Sequence, residues 1–187
     1  MGIVFKGFSG SEELALSLKL SAQLDDAGDP DLPFKLYQSY IQHNKWRLPE
    51  SVLGVINNPD WTGGITSRAP YYSDLVELHL DGAGSDEAAL RITLLKHMYL
   101  EIPLRIVLKY EGLFELVIPE FSNISEYPLV WRYEQFLYFD AYKSHGIKDR
   151  LFTHQIEWTD GRIWSITARN IRVEWVEVSS GETVGNN

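Results

Sequence analysis

The distribution of proline divides this sequence into two parts that must fold differently. The chain has eight prolines, and all of them lie before residue 129, so the last 59 residues have none. That proline-free stretch is rich in Trp, Tyr, Ile and Val, which are residues favoured in strands. Because proline cannot donate a hydrogen bond to a sheet ladder, its absence indicates the interior of a sheet.

Alternation of apolar and polar residues predicts the strands of this sheet. The predicted strands are residues 75–80, 89–95, 104–110, 113–118, 136–139, 152–158, 163–167 and 171–178. Asp160-Gly161 lies between two of them and is a strong hairpin signal, since glycine accepts a positive φ at little cost. Glu111-Gly112 predicts a second hairpin in the same way. Residues 133–137 also allow a helix.

The first 70 residues follow a different pattern. Tyr37, Tyr40 and Ile41 recur at helical spacing and predict a helix over residues 32–46, and Pro49 begins a second, short helix over 49–56. Residues 12–24 allow a strand or a helix, and strict alternation of Leu favours the strand. We therefore expect an α+β fold in which one or two N-terminal helices pack on a mostly antiparallel sheet of about six or seven strands.

The same pattern predicts one domain over residues 1–187. Within it, residues 1–70 are mixed and helical, residues 71–178 form the antiparallel sheet, and residues 179–187 form a flexible tail. The start of the chain lacks the apolar core of a signal peptide, and no apolar run is long enough to span a membrane. The sequence therefore predicts a cytoplasmic protein that does not contact a membrane.

Composition excludes several classes of function. The chain has no Cys, which excludes disulfide scaffolds, thiol catalysis and cysteine-ligated metal sites. Its formal net charge of −9 argues against nucleic acid as a partner, since attraction to phosphate needs a basic surface. The glycine-rich nucleotide motifs and the His-Glu-x-x-His zinc motif are absent. We therefore assign no cofactor, no metal site and no catalytic residue from the sequence.

The negative charge is concentrated in two segments. Residues 1–31 carry a net charge of −4 and residues 73–87 carry −5, while the other residues balance. A local negative potential steers a basic protein toward it, although acidic loops also simply keep a protein soluble. The predicted partner-binding residues lie in the second segment and are Asp74, Glu77, His79, Asp81, Asp86 and Glu87.

Two groups of residues allow chemistry as well as a structural role. Glu77, His79 and Asp81 share one face of a strand, where they are either metal ligands or the solvated side of a half-buried strand. His154 lies on an apolar strand face, as a core residue or as a catalytic partner of Glu157. In both cases we favour the structural role.

Several short motifs together resemble a group of small bacterial α+β proteins. The motifs are Tyr37-x-x-Tyr40, Leu48-Pro49, Ser73-Asp74, Trp131-x-Tyr133-Glu134, the His154 to Gly161 hairpin and Ile171-x-Val173. Two positions depart from that pattern: Ser73 stands where His is usual, and Gln135 where a second acid is common. Some similar acidic proteins neutralise toxins as immunity proteins, which the resemblance implies here only by analogy.

The sequence thus leaves two hypotheses of different classes. The first is a non-enzymatic protein that binds a basic protein partner through its acidic surface, in the manner of an immunity-type inhibitor. The second is a small hydrolase or metal-dependent enzyme that uses His154 with Glu157, or Glu77 with His79. The first hypothesis expects an exposed acidic surface, and the second expects those side chains to converge in a cleft.

Overall fold

The computed structural model describes residues 32–62, 68–83, 85, 87–98, 100–119, 129–140 and 148–178. The helices are α1 (Leu32–Asn44), α2 (Glu50–Ile56) and α3 (Pro59–Thr62), with a 3-10 turn at Lys45–Arg47. The strands are β1 (Asp74–Asp81), β2 (Ala89–Lys96), β3 (Leu104–Val117), β4 (Trp131–Phe139), β5 (Leu151–Trp158) and β6 (Ile163–Glu177). Within these ranges, no helix is both long and apolar enough to cross a membrane.

The strands form a six-stranded sheet in the order β1-β2-β3-β6-β5-β4. Every neighbouring pair is antiparallel. The sheet curves so far that its two edge strands meet at one corner, where Asp74 at the start of β1 forms a bridge with Val130 just before β4. The expected α+β class with a mostly antiparallel sheet is confirmed.

The short helices pack on the inner side of this curved sheet. Leu48, Val52 and Val55 are buried around α2, and Trp61 of α3 is buried beside them. They belong to the same hydrophobic cluster as the inward side chains of the strands, so the sheet and helices share one core. The largest inward side chains are Tyr110, Trp131, Phe136, Phe152, Trp158 and Trp164.

Helix α1 covers the backbone edge of β4. The Tyr37 hydroxyl accepts a hydrogen bond from the Phe136 N–H at 2.7 Å and donates to the Phe136 carbonyl at 3.4 Å. The Tyr40 hydroxyl accepts from the Tyr138 N–H at 3.0 Å. Spacing of three residues puts both tyrosines on one face of the helix, and spacing of two puts both amides on one side of the strand. The two hydroxyls therefore satisfy an edge that would otherwise be open to another strand.

The predicted hairpin at Glu111-Gly112 is wrong. Residues 104–117 form one long strand, β3, and residues 163–177 form one long strand, β6. Only Gly112 of the two expected turn residues has a positive φ, at 61°, and the chain continues through it as strand because β3 pairs with β6 on both sides of it. Glu111 pairs with Asn170, so both expected breaks lie opposite each other within two paired strands, and the register shifts just beyond them, between Leu113 and Glu115.

Other local predictions are confirmed. The helices expected at residues 32–46 and 49–56 are present as α1 and α2, and Pro49 precedes the first turn of α2. Asp160-Gly161 forms the turn between β5 and β6, where the Arg162 side chain and backbone both contact the Asp160 carboxylate. Residues 133–137 are strand. The expectations for residues 12–24 and 179–187 lie outside the described residues.

Two glycine substitutions test how the backbone is constrained. A Cβ at Gly112 would lie 2.8 Å from Cδ of Arg169, in a conformation that L-residues rarely adopt. We expect Gly112→Ala to lower the free energy of unfolding by about 1–3 kcal/mol. Gly54→Ala, in α2 and with open space around it, should raise that free energy by about 0.5–1 kcal/mol. Urea denaturation measures both, and equal effects would contradict the argument.

Removal of a tyrosine hydroxyl tests the covered edge. Tyr37→Phe leaves the Phe136 N–H without its acceptor, and we expect the free energy of unfolding to fall by about 1–2 kcal/mol. Tyr133→Phe removes an equal group from an outward ring that is 58% exposed, so that variant should match the parent protein. A Tyr37→Phe variant as stable as the Tyr133→Phe control would show that the hydroxyl does not hold the edge.

Candidate functional site

Three of the predicted acidic residues, Asp74, Glu77 and Asp81, lie with His79 on β1, which is an edge strand of the sheet. Glu77, His79 and Asp81 alternate along it and pair with Thr93, Arg91 and Ala89 of β2. Leu78 and Leu80 lie opposite Ile92 and Leu90, which are buried in the core. Residues that face each other across an antiparallel pair share a face. The acidic row therefore points outward, as alternation predicted.

Basic groups offset this acidic surface only partly. The Arg91 guanidinium lies 3.5 Å from the Glu77 carboxylate, and the His97 imidazole lies 3.4 Å from the Asp74 carboxylate. His79 contacts Asp81 at 2.8 Å. Glu87 is exposed in the connection to β2, and Asp86 lies outside the described residues. Arg91 is thus the one permanently charged base in these contacts, beside several carboxylates.

The backbone of β1 is paired on one side for most of its length. On the other side, among the described residues, its contacts are confined to its start, where the Leu75 N–H donates to the Leu129 carbonyl and Asp74 bridges Val130. The strand then bulges at Val76, because the register shifts between Leu75 and Glu77. A bulge of this kind twists an edge strand. From Val76 to Asp81 no backbone of the described residues pairs with the outer edge of β1.

Apolar side chains accompany the carboxylates along this edge. Val76 at the bulge is 51% exposed and Leu78 is 38% exposed, although Leu78 lies on the inner face of the sheet. An inner-face leucine becomes this exposed because no further described strand lies beside it. Within the part of the chain that the structure describes, the edge from Val76 to Asp81 therefore presents unpaired backbone, exposed apolar groups and carboxylates together, and we call it the acidic edge.

A second cluster of polar groups lies inside the sheet. The Tyr110 hydroxyl lies 2.7 Å from Nδ1 of His154, and Nε2 of His154 lies 3.4 Å from the Glu134 carboxylate. The His154 side chain is fully buried and that of Glu134 is 6% exposed. Phe136 stacks on the His154 ring, with ring centroids 4.0 Å apart, and Trp61 and Trp131 pack around it. We call Tyr110, His154 and Glu134 the inner polar cluster.

Burial favours the uncharged forms of the side chains in the inner polar cluster. It lowers the pKa of His154 to about 3 and raises the pKa of Glu134 well above its ordinary value. The cause in both cases is the loss of water around the charged form, which an apolar interior cannot replace. Burial likewise raises the pKa of the Tyr110 hydroxyl. Burial therefore favours a protonated Glu134 beside a neutral His154.

The catalytic pairs considered from the sequence do not form. His154 points inward, whereas Glu157, three residues further along the same strand, points outward and contacts Arg132 at 3.2 Å. Glu77 contacts Arg91 and Thr93 in place of His79. In the part of the chain that the structure describes, no group of three metal-ligating side chains converges. The structural role that we favoured for His154 agrees with its complete burial.

The sequence did not indicate Tyr110 or Glu134 as partners of His154. For Glu134 the reason is that strict alternation places Trp131 and Glu134 on opposite faces of a strand. A register shift between Trp131 and Tyr133 breaks that alternation. Trp131 faces Trp158 and Glu134 faces Ile156, which are both inward residues, so both side chains enter the core. No signal in the sequence marks this bulge.

Lys96 is another buried ionisable residue, at the end of β2. Its side chain is fully buried, and its Nζ donates to the Ala69 carbonyl at 2.7 Å. Burial lowers its pKa to about 8. The hydrogen bond ties the chain before β1 to the end of β2, which positions the start of the acidic edge.

The protonation state of Glu134 gives a prediction for the pH dependence of stability. Unfolded His154 takes up a proton below pH 6.5 that the folded protein accepts only near pH 3, so stability falls as pH drops through this interval. Unfolded Glu134 loses its proton above pH 4.5 while the folded protein keeps it, so stability falls as pH rises. Between pH 4.5 and pH 6.5 the two effects oppose each other, and as pH rises further the His154 effect fades while the decline caused by Glu134 remains.

Glu134→Gln should therefore remove the decline in stability that the Glu134 proton causes in the parent protein as pH rises past 6.5. Urea denaturation at several pH values measures this, in a window kept below the pH of about 8 at which buried Lys96 titrates. Glu157→Gln is the matched control, because that carboxylate faces outward, and it should keep the slope of the parent protein. Equal slopes for the parent protein and Glu134→Gln would mean that Glu134 is ionised in the fold.

Comparison with known proteins adds no relative to this description. No protein-family model, no curated protein and no solved structure matches the chain. The functional assignment consequently depends on the two groups of residues described above, the acidic edge and the inner polar cluster.

Proposed function

We propose that this protein is a non-enzymatic binding module whose acidic β1 edge recognises a basic protein partner. One observation carries the proposal: Glu77 and Asp81 point outward from an edge strand whose outer backbone no described residue pairs beyond Leu75. Their side chains are 50% and 68% exposed, so they remain solvated and available to a partner. Surface contacts such as that of Asp81 with His79 contribute little to stability, and a partner can displace them.

Electrostatics supports a basic partner in particular. Carboxylates concentrated on one strand and its following turn create a local negative potential, which raises the rate of encounter with a positively charged surface. Exposed Val76 and Leu78 lie beside these charges and supply the apolar contact that a specific interface also needs. The combination favours protein recognition over a role in solubility alone.

An inhibitor of a basic toxin, as in immunity proteins, is the finer form of this proposal. Neutralising such a toxin needs fast association and a charged surface, and the acidic edge supplies both. The enzymatic alternative has no comparable support, because the inner polar cluster is sealed by Phe136, Trp61 and Trp131 and is held uncharged. If the protein is such an inhibitor, we expect the partner that it captures to be a basic toxin.

Neutralising the acidic edge tests the proposal. Proteins from the native host are captured on the immobilised full-length chain, and association rates of the captured partner are measured by surface plasmon resonance at low and high salt. We expect the triple variant Glu77→Gln, Asp81→Asn, Glu87→Gln to lower the association rate by about tenfold at low salt and to flatten its salt dependence.

A second triple variant controls for net charge. Asp149→Asn, Glu174→Gln and Glu177→Gln change the total charge by the same amount on exposed carboxylates away from β1. This control should change the association rate less than about twofold. Equal effects of the two triple variants would contradict the proposal, and so would the failure of any basic protein to bind.

A further inference from the structure

We infer that the partner binds as an extended basic segment that adds to the free edge of β1 as a seventh strand. The inference rests on the proposed function and goes beyond it, because it names the mode of binding and the chemistry of the bound segment. The partner supplies backbone donors and acceptors to β1 between Val76 and Asp81, together with Lys or Arg side chains that face the outward carboxylates.

The first argument is the difference between the two edges of the sheet. On β4, Tyr37 and Tyr40 of α1 fill the hydrogen-bonding positions of Phe136 and Tyr138. On β1, among the described residues, backbone contacts on the outer side stop at Leu75. An edge with unpaired N–H and C=O groups is a template for another strand. The fold therefore closes one edge with side chains and leaves the other available.

The second argument is the size of the open edge. Six residues from Val76 to Asp81 extend over about 20 Å, which is the length of an ordinary strand. A peptide that adds to such an edge as a strand gains affinity from main-chain hydrogen bonds, and its alternate side chains provide specificity. The edge is therefore long enough to bind a peptide segment by this mode.

The third argument is the chemistry of the side chains on the two faces. Glu77 and Asp81 lie on the outer face, where an added strand would place alternate side chains next to them. Opposite charges on neighbouring strands stabilise the pair, and like charges destabilise it. On the inner face the added strand would cover Leu78, which is 38% exposed. The bound segment should accordingly alternate basic residues with apolar ones.

Peptide selection on the full-length protein tests the inference. Random twelve-residue peptides displayed on phage are selected against the immobilised chain, and the selected peptides are synthesised. We expect alternating Lys or Arg in their sequences. Amide hydrogen exchange should show slower exchange at residues 76–81 when a peptide is bound, and N-methylation of central peptide residues should weaken binding by about tenfold or more, because it removes backbone donors.

A pair of matched variants tests whether peptide binding depends on the open edge of β1 and not on the total charge of the protein. Leu78→Lys places a positive charge on the inner side of the open edge, a substitution that discourages strand addition. Val117→Lys introduces the same residue at a site with the same 38% exposure on the central strand β3. We expect Leu78→Lys to abolish peptide binding and Val117→Lys to retain it. Circular dichroism of both variants checks that the fold is intact.

The outcomes distinguish this inference from the proposed function. Peptides that bind without slower exchange at residues 76–81, or that tolerate N-methylation, would overturn strand addition, whereas loss of binding in the acidic triple variant would still support charge recognition. Peptides without basic residues that nevertheless protect β1 would overturn the charge argument in both proposals. Protection of β1 by a second copy of this chain or by its residues 1–31, before peptide is added, would overturn the assignment of the edge to a partner.

Discussion

The hydrogen-bonding capacity of the two exposed backbone edges is the constraint on which the rest of this structure depends. An open sheet of six strands must pair, cover or charge both edges to avoid uncontrolled association. At one corner the edges meet, through Asp74 and Val130. Beyond that corner, two tyrosine hydroxyls of α1 bond to the backbone of β4, whereas β1 carries carboxylates. Both the position of α1 and the distribution of charge therefore limit uncontrolled strand pairing at an edge.

Much of the fold follows from local patterns in the sequence, and its departures have specific causes. Alternation located the strands because one face of each is buried, and Asp160-Gly161 marked a turn because glycine accepts its φ of 81°. Glu111-Gly112 matched the same turn pattern but lies within a continuous strand, since a glycine with positive φ can bend a strand as well as form a turn. The outward position of Glu77, His79 and Asp81 on β1 was predictable, because successive side chains of a strand point to opposite faces. Glu134 was not, because a bulge in β4 reverses its face.

The two polar groups of this protein illustrate opposite ways of treating charge. On β1, Glu77 and Asp81 remain in water and keep their charge, so they act at a distance on a passing molecule. Inside the sheet, Glu134 and His154 lose water and become neutral, so that their interaction is short-ranged. Perturbed titration often marks an active site, but here it accompanies complete enclosure by aromatic rings. The accessible group therefore carries the functional argument.

The outward position of the acidic row has a consequence for how such a protein can change over generations. Glu77, His79 and Asp81 lie on the outer face and contact polar side chains and not the hydrophobic core, and substitutions at sites of this kind shift folding stability by about 0.5 kcal/mol or less. Mutation can therefore alter which partner is recognised while the scaffold is preserved. At β4 a substitution of Tyr37 would instead lower folding stability, since its hydroxyl bonds to the backbone of that strand. The residues proposed for recognition and the tyrosine contacts that stabilise the fold thus lie at opposite edges of one sheet, and they are free to evolve at different rates.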